Sequence, residues 1–262
     1  MLQYINMKIN PNFKKIAIEA AKEAGKVLER DFRKPIKVFY KKDLSLITDM
    51  DIRTEKAIIK LIKKNFPSHN ILAEEMGGKI GENYTWIIDS LDGTTNYVSK
   101  MPFFSTSIAL FYKRKPILSI VFNPIGKELY FAERGKGAYL NGKTIKIGKK
   151  RILPKSVLAL GKGRTKEDFI KLQKILEKAT GKCRTFRIWG CTSLELCYIA
   201  SGRIDGYINV GSKPWDYAAG VLIIKEAGGR VTDFKGREWE IKTKNVVASN
   251  KEINKLLLHL LK

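Results

Sequence analysis

Apolar residues recur every three or four positions early in the chain, which predicts a helix over residues 12–32 with Asn12 as its N-cap. A second helix is predicted over residues 52–65. Short apolar runs then predict strands near residues 70–73, 86–88, 105–112, 117–122 and 128–132. The sequence Asn141-Gly142 predicts the turn of a hairpin over residues 139–145.

The pattern changes after Gly148, where shorter strands and helices alternate. Strands are predicted near residues 157–160, 185–189, 206–210, 231–232 and 246–248, and helices near 166–180, 193–200, 217–227 and from 251 onward. The sequence contains no internal repeat and no low-complexity linker. We therefore expect two closely joined α/β subdomains, residues 1–148 and 149–262.

Composition excludes several classes of protein. With 44% hydrophobic residues among 262, the chain is too apolar for a disordered protein. It lacks the run of about 18 apolar residues that a membrane-spanning helix needs. Residues 1–11 contain no apolar stretch of the signal-peptide kind, so a cytoplasmic location is expected. Three cysteines and two histidines argue against a disulfide framework, a zinc site and a histidine-dependent triad.

The chain is strongly basic, with 50 Lys and Arg against 26 Asp and Glu, for a net charge of +24. Such a charge allows binding of polyanions. The excess is spread along the chain rather than concentrated in an arm or block, which favours a solvated surface over a nucleic-acid footprint. A basic nucleic-acid-binding protein stays open as an alternative.

The most informative segment is Asp89-Ser90-Leu91-Asp92-Gly93-Thr94, which follows an apolar strand. Carboxylates at the end of a strand suit a hard cation such as Mg²⁺, which prefers oxygen ligands. Amides at the start of a following helix suit a phosphate anion. This loop therefore predicts adjoining metal and phosphate sites, with an Asp-rich turn and helix cap as the competing interpretation.

Three further acidic clusters favour the metal site. Glu74-Glu75 follows an apolar strand, Asp49 and Asp51 precede a helix, and Asp216 precedes another. Acids at the ends of apolar elements are costly to bury unless a positive charge compensates them.

Two other phosphate-related motifs are rejected. Residues 137–144 match the P-loop pattern GxxxxGK[ST], but Thr144 begins an alternating, β-branched stretch instead of a helix. The signature DxDx[TV] of phosphatases with a nucleophilic aspartate also fails, because two residues instead of one separate Asp89 from Asp92.

Taken together, these motifs resemble the inositol monophosphatase family of lithium-sensitive, magnesium-dependent phosphatases. Residues 89–96 resemble its D-P-[IL]-D-G-T-x-N, and residues 215–220 resemble its W-D-x-A-A-G. Residues 73–75 stand in the place of its G-E-E, and residues 48–51 in the place of its T-x-x-D. The resemblance implies an α/β (α+β) fold, a layered αβαβα sandwich of the inositol monophosphatase and fructose bisphosphatase type, and a homodimer.

The resemblance also implies a site with two or three Mg²⁺ ions, for which Mn²⁺ is a possible substitute. By motif position, Glu74, Asp89 and the Leu91 carbonyl would hold one ion, and Asp89, Asp92 and Asp216 a second.

The phosphate and the attacking water are assigned in the same way. The amides of Gly93 and Thr94 would bind the phosphate. Asp51 would orient the Thr94 hydroxyl, which with Glu74 would position the water.

Substrate recognition departs from the animal members of the family, because Asn209 stands where they carry a glutamate that contacts the inositol ring. Residues 184–198 resemble the archaeal members that also cleave fructose 1,6-bisphosphate. A second phosphate would need a cationic group. The candidate substrate-binding residues are Asp92, Arg184, Arg187, Cys191, Thr192, Arg203, Asn209 and Lys213.

We therefore expect a phosphatase of inositol and sugar phosphate monoesters, with water attacking directly. A small phosphate ester is favoured over nucleic acid as its ligand, and no membrane partner is expected. A nucleotide-type phosphatase of the same superfamily, acting on phosphoadenosine phosphate or NADP, is the enzymatic alternative.

Overall fold

The structure is a computed structural model that describes residues 10–262. Its helices are α1 (Pro11–Asp31), α2 (Asp49–Asn65), α3 (Thr94–Val98), α4 (Lys166–Ala179), α5 (Thr192–Ala200), α6 (Pro214–Glu226) and α7 (Lys251–Leu261). Asn10 rather than Asn12 caps α1, and its side chain accepts the Asn12 amide at 3.0 Å. The sequence predicts no signal-peptide-like stretch over residues 1–11. Residues 1–9 of that range lie outside the described part of the chain.

An eight-stranded sheet contains most of the first half of the chain. Its order is β10-β9-β8-β7-β6-β5-β3-β4. The strands are β3 (Asn70–Ala73), β4 (Gly77–Gly78), β5 (Tyr84–Asp92), β6 (Ser105–Tyr112), β7 (Lys115–Asn123), β8 (Glu128–Glu133), β9 (Ala138–Leu140) and β10 (Lys143–Ile145). Strands β3 and β5 run parallel, with Ala73 paired to Ile88. The acids that follow Ala73 and Ile88 therefore lie at the same edge of the sheet.

Two hairpins bear on the motifs. Strands β9 and β10 pair around Asn141 and Gly142, both with positive φ, which confirms the predicted hairpin in place of a P-loop. The segment between α1 and α2, for which the sequence predicts no helix or strand, forms a second hairpin of β1 (Val38–Tyr40) and β2 (Leu46–Thr48). It gave no strand signal because its strands are three residues long and Tyr40 is exposed.

A five-stranded sheet contains the second half of the chain, in the order β12-β11-β13-β15-β14. Its strands are β11 (Val157–Lys162), β12 (Thr185–Arg187), β13 (Gly206–Val210), β14 (Arg230–Thr232) and β15 (Val246–Ser249). Strands β11, β12 and β13 are parallel to one another. Strand β13 leads into α6, so the α6 N-terminus lies at the end of this parallel group.

The elements stack in five layers, which confirms the predicted αβαβα sandwich. Helices α1 and α2 pack on the outer face of the larger sheet, and α4 and α7 on the outer face of the smaller one. Helices α5 and α6 lie between the sheets, and α6 is buried continuously from Tyr217 to Ile224. The division into subdomains 1–148 and 149–262 stays a prediction. Among residues 10–262, no helix is long and apolar enough to cross a membrane.

The close approach of α5 and α6 yields a stability prediction at Gly220. A Cβ there would lie 2.4 Å from Leu196 Cδ1 and 2.7 Å from Leu196 Cβ, so the helices would have to separate. We expect Gly220→Ala to lower the free energy of unfolding by about 1–3 kcal/mol in urea denaturation. The matched variant Gly148→Ala, whose Cβ would stay 3.6 Å from its nearest neighbour, should change it by less than about 0.5 kcal/mol. Equal unfolding free energies for the two variants would contradict the tight helix contact.

Candidate metal and phosphate site

Carboxylates from both halves of the chain converge where β3, β5 and α6 meet. Asp89 is buried, and this desolvation raises the pKa of its carboxyl group well above the usual value. The negative charges of Glu74, Asp92 and Asp216 raise that pKa further. The pKa of Asp216 is also raised by burial and then by Asp92, opposed by the Lys213 amide, which donates to its Oδ2 at 2.8 Å. These four acids therefore form one acidic centre.

The loop after β5 turns sharply at Gly93. Its φ of 90° favours glycine, and a Cβ would lie 3.0 Å from the Phe103 carbonyl oxygen and 3.2 Å from Cys191 Cβ. Helix α3 starts at the next residue, Thr94. The first amides of a helix have no intrahelical acceptor, so this turn offers free N–H groups beside the acidic centre.

Thr94 is held by the acid predicted to orient it. Its hydroxyl lies 3.1 Å from Asp51 Oδ1 and 3.1 Å from the Leu91 carbonyl oxygen. The other Asp51 oxygen accepts the Thr48 amide at 2.7 Å and the Thr48 hydroxyl at 2.5 Å, forming the capping box of α2. Burial raises the pKa of Asp51 to about 6, against the opposing effect of these hydrogen bonds.

Asp92 faces the start of α5. Its Oδ2 accepts the Ser193 amide and the Ser193 hydroxyl, each at 2.6 Å, and the Cys191 thiol lies 3.3 Å away. Burial, and then the charge of Asp92, raise the pKa of Cys191 well above its usual value, so the thiol is a neutral wall of the site. The sequence interpretation missed Ser193, which lies 101 positions after Asp92.

Sequence reasoning also missed Lys41, at the tip of the β1–β2 hairpin. Its ammonium lies 3.0 Å from Glu74 Oε1 and 2.6 Å from Glu75 Oε1. Burial raises the pKa of Glu75 to about 7, with the Lys41 contact opposing the shift. Within residues 10–262, no three His, Cys, Asp or Glu side chains stand in an arrangement ready to hold a metal ion.

The donor set nevertheless fits a magnesium ion. The acidic centre presents carboxylate oxygens and the Leu91 carbonyl, without a histidine or thiolate ligand. Within residues 10–262, Lys41 is the one cation that forms an ion pair with these four acids, so most of their negative charge is unpaired. Desolvated acids that repel one another gain stability when a divalent cation lies between them.

Two of the candidate substrate residues, Thr192 and Asn209, meet at the Tyr207 hydroxyl, and a third, Cys191, contacts Asp92. Thr192 Oγ1 lies 3.1 Å from the Tyr207 hydroxyl, and Asn209 Nδ2 donates to that hydroxyl at 2.6 Å. Asn209 Oδ1 is buried and has no hydrogen-bond partner among the described residues. With Cys191, these groups form a polar wall, and Tyr207 is a member that the sequence did not reveal.

The four candidate cations differ in their surroundings. Lys213 precedes the α6 turn that carries Asp216. Arg187 donates to the Phe186 carbonyl at 2.8 Å, next to it on β12. Arg184 lies just before β12, at the end of the strand remote from the α6 N-terminus. Arg203 pairs with Glu128 and stacks on Tyr198 at 4.7 Å.

The chain matches a known protein family over nearly its whole length. The model described as the inositol monophosphatase family matches residues 10–262. The chain belongs to the inositol monophosphatase family. This membership confirms the resemblance carried by the motifs and places the chain among the phosphatases of that superfamily, which are generally Mg²⁺-dependent and act on small phosphate esters.

Individual relatives are similar to this protein over nearly the whole chain. The Nus factor SuhB of Salmonella typhimurium is 38% identical over 248 residues, covering 93% of each chain. Inositol monophosphatase 2 of Solanum lycopersicum is 36% identical and covers 95% of this chain and 97% of its own. The crystal structure of extragenic suppressor protein suhB from Bartonella henselae superposes with a TM-score of 0.91 at 34% identity, covering 96% of this chain and 98% of that one.

Proposed function

We propose that this protein hydrolyses phosphate monoesters of inositol and sugars, including fructose 1,6-bisphosphate, with Mg²⁺ and direct attack of water. One observation carries the proposal. The Thr94 hydroxyl contacts Asp51 at 3.1 Å on the same loop that gives Asp89 and Asp92 to the acidic centre. The residue that would orient the water and two of the residues that would bind the cation therefore lie on the same loop.

The metal ligands would be Glu74, Asp89, the Leu91 carbonyl, Asp92 and Asp216. Bound Mg²⁺ would neutralise the phosphate and the acids and lower the pKa of bound water, so no histidine base is required. Lys41 contacts Glu74 at Oε1, and the second oxygen of this carboxylate would be able to bind the metal.

The remaining groups would act on phosphate and water. The amides of Gly93 and Thr94 would receive the phosphate oxygens at the start of α3. With its proton directed at Asp51, the Thr94 oxygen would accept a hydrogen bond from the attacking water. Glu74 would accept the second hydrogen of that water and so fix its direction of attack.

The polar wall supports a substrate range broader than inositol phosphate. Asn209 presents a neutral amide oxygen, which attracts a hydroxyl and does not repel a second phosphate as a carboxylate would. Lys213 is the candidate cation that lies next to the acidic centre, and we propose that it faces the second phosphate. The homodimer and the cytoplasmic location stay predictions.

The direct test compares phosphate release from inositol 1-phosphate and fructose 1,6-bisphosphate with Mg²⁺ and with EDTA. We expect both esters to be cleaved with Mg²⁺ and neither with chelator. Release from neither, with a nucleotide phosphate cleaved instead, would transfer the proposal to nucleotide substrates. Hydrolysis of no ester, together with salt-sensitive binding of nucleic acid, would support the alternative raised by the +24 charge.

Asn209→Glu tests the assignment of the polar wall. A carboxylate there should lower the ratio of kcat/KM for fructose 1,6-bisphosphate to kcat/KM for inositol 1-phosphate by at least about tenfold, because it repels the second phosphate. The control Asn209→Gln adds the same length without charge and should keep the ratio within about threefold. An unchanged ratio in the glutamate variant would remove Asn209 from the proposed substrate site.

A further inference from the structure

The exposed face of α2 carries only positive charge from its second turn to its C-terminal end. Because each residue advances a helix by about 100° and 1.5 Å, the exposed cations fall within an arc of about 100° that extends for about 17 Å. The acid in this part of α2, Glu55, is buried and accepts the amides of Glu75 and Met76. We call the exposed set the cationic stripe, and its members are Arg53, Lys56, Lys60, Lys63 and Lys64.

Folding assembles this stripe from cations that apolar, core-facing residues separate along the chain. Helix α1, which packs beside α2 on the larger sheet, shows the ordinary arrangement of a solvated face. Its exposed residues mix lysines with acids: Lys15, Glu19, Lys22, Glu23 and Lys26. Helix α2 therefore presents an unbalanced positive face beside a mixed one.

Helix stability does not account for the cationic stripe. Cations in the last turn interact favourably with the helix dipole, which explains the two lysines there. Arg53 lies 3.5 Å from Asp31. Lys56 and Lys60 form no ion pair with any acid in residues 10–262, and like charges four positions apart destabilise a helix. A row of cations that repel one another attracts a polyanion from solution.

The chemistry of the stripe distinguishes among polyanions. A helix that binds a lipid surface inserts large apolar side chains, whereas α2 turns Ile58 and Ile62 into the core and exposes only Ala57 among its stripe residues. Proteins that bind single strands stack aromatic rings on the bases, and the α2 segment from Arg53 to Lys64 contains no aromatic residue. Contacts with the phosphates of a duplex need neither feature, since cationic side chains suffice.

We propose that the cationic stripe binds the phosphodiester backbone of a nucleic-acid duplex. Its cations replace the counterions condensed on the duplex, and contacts with phosphates carry no sequence information. Duplexes of RNA and of DNA share this chemistry. The stripe contains no member of the acidic centre or of the polar wall, so this surface does not depend on the proposed function.

Binding is tested by fluorescence anisotropy with end-labelled duplexes of RNA and of DNA. The titrations contain EDTA, so that no Mg²⁺ links phosphates to the acidic centre. We expect the logarithm of the association constant to fall linearly with the logarithm of salt concentration, with a slope of about −3 to −4.5 for three to five neutralised phosphates. Binding of either duplex supports the proposal, and the duplex with the lower Kd identifies the backbone that fits the stripe.

The variant Lys56→Gln/Lys60→Gln/Lys64→Gln tests the stripe itself. Its Kd should rise at least about tenfold, and its salt slope should become shallower by about 2 to 3. Replacing the same lysines with arginine keeps the charge and should hold the Kd within about threefold of the unaltered protein. Because neutralisation relieves repulsion along α2, the Tm of the glutamine variant at low salt should hold or rise, so lost binding would not reflect lost folding.

The matched control is Lys15→Gln/Lys22→Gln/Lys26→Gln, which removes the same charge from the mixed face of α1. Its Kd should stay within about threefold of the unaltered protein. Equal affinities of the two glutamine variants, a salt slope shallower than about −2, or tighter binding of a single strand of equal length would overturn the proposal. Binding to vesicles of phosphatidylserine and phosphatidylcholine, with neither duplex bound, would overturn it in favour of a membrane surface.

Discussion

Asp89→Asn should abolish most turnover while leaving the metal-free protein at least as stable as before. We expect kcat to fall at least about a thousandfold, because a ligand of the charge-neutralising metal would be lost. The apparent Tm in EDTA should hold or rise, since the substitution removes a buried charge that Glu74, Asp92 and Asp216 repel. Asp89 Oδ1 accepts a hydrogen bond from the Leu91 amide at 3.1 Å, and the side-chain oxygen of asparagine can accept the same bond.

The measurement pairs phosphate-release kinetics with thermal unfolding at several Mg²⁺ concentrations. Mg²⁺ should raise the Tm of the unaltered protein and have little effect on the variant, because a ligand stabilises only the state that binds it. Asp233→Asn, on the turn after β14, is the control and should respond to Mg²⁺ as the unaltered protein does. Wild-type turnover or an intact Mg²⁺ response in Asp89→Asn would remove Asp89 from the site.

Thr94→Val should have the second-largest effect. It keeps the shape of the side chain but removes the hydroxyl that contacts Asp51, so the attacking water loses its orienting group. We expect kcat to fall by about 10²–10⁴ with little change in KM, the range attributed to positioned proton-transfer groups. Thr94→Ser restores the hydroxyl and should recover kcat to within about tenfold of the unaltered protein.

Steady-state kinetics of Thr94→Val, Thr94→Ser and Thr95→Val separate chemistry from general damage to α3. Thr95 is exposed on the same short helix, and its replacement should leave both constants unchanged. If serine failed to rescue, or if Thr95→Val were equally impaired, the effect would belong to the helix and not to the Thr94 hydroxyl.

The acids of the centre were visible in the sequence because of where they stand. Asp89 follows the strongest apolar run of β5, Glu74 follows β3, and such positions are rarely charged without a reason. The strand bounds were less visible. Strand β5 extends from Tyr84 to Asp92, beyond the predicted residues 86–88. The prediction was too short because the polar end of the strand has the composition of a loop, and its pairing is irregular between Asp89 and Asp92.

Residues that act across long separations were not visible. Lys41 contacts Glu74 from a hairpin 33 positions earlier, and Ser193 contacts Asp92 from 101 positions later. Neither belongs to a local pattern, since a lysine in a polar segment and a serine at the start of a helix are ordinary. Helix α6 was predicted from residue 217 but begins at Pro214. Proline is favoured at the first position of a helix, and this signal is independent of the apolar periodicity used for the prediction.

Because α6 is enclosed between both sheets, the two halves of this chain are constrained to evolve together. Its Tyr217–Ile224 surface packs on residues from each half of the chain, while its first turn gives Asp216 to the acidic centre. A recombinant that inherits residues 149–262 from a distant relative would inherit α6 matched to a foreign larger sheet, and Asp216 would be displaced together with the misfitted helix. We therefore expect the two halves to be inherited together, and shuffled chimaeras to lose magnesium-dependent stabilisation before they lose secondary structure.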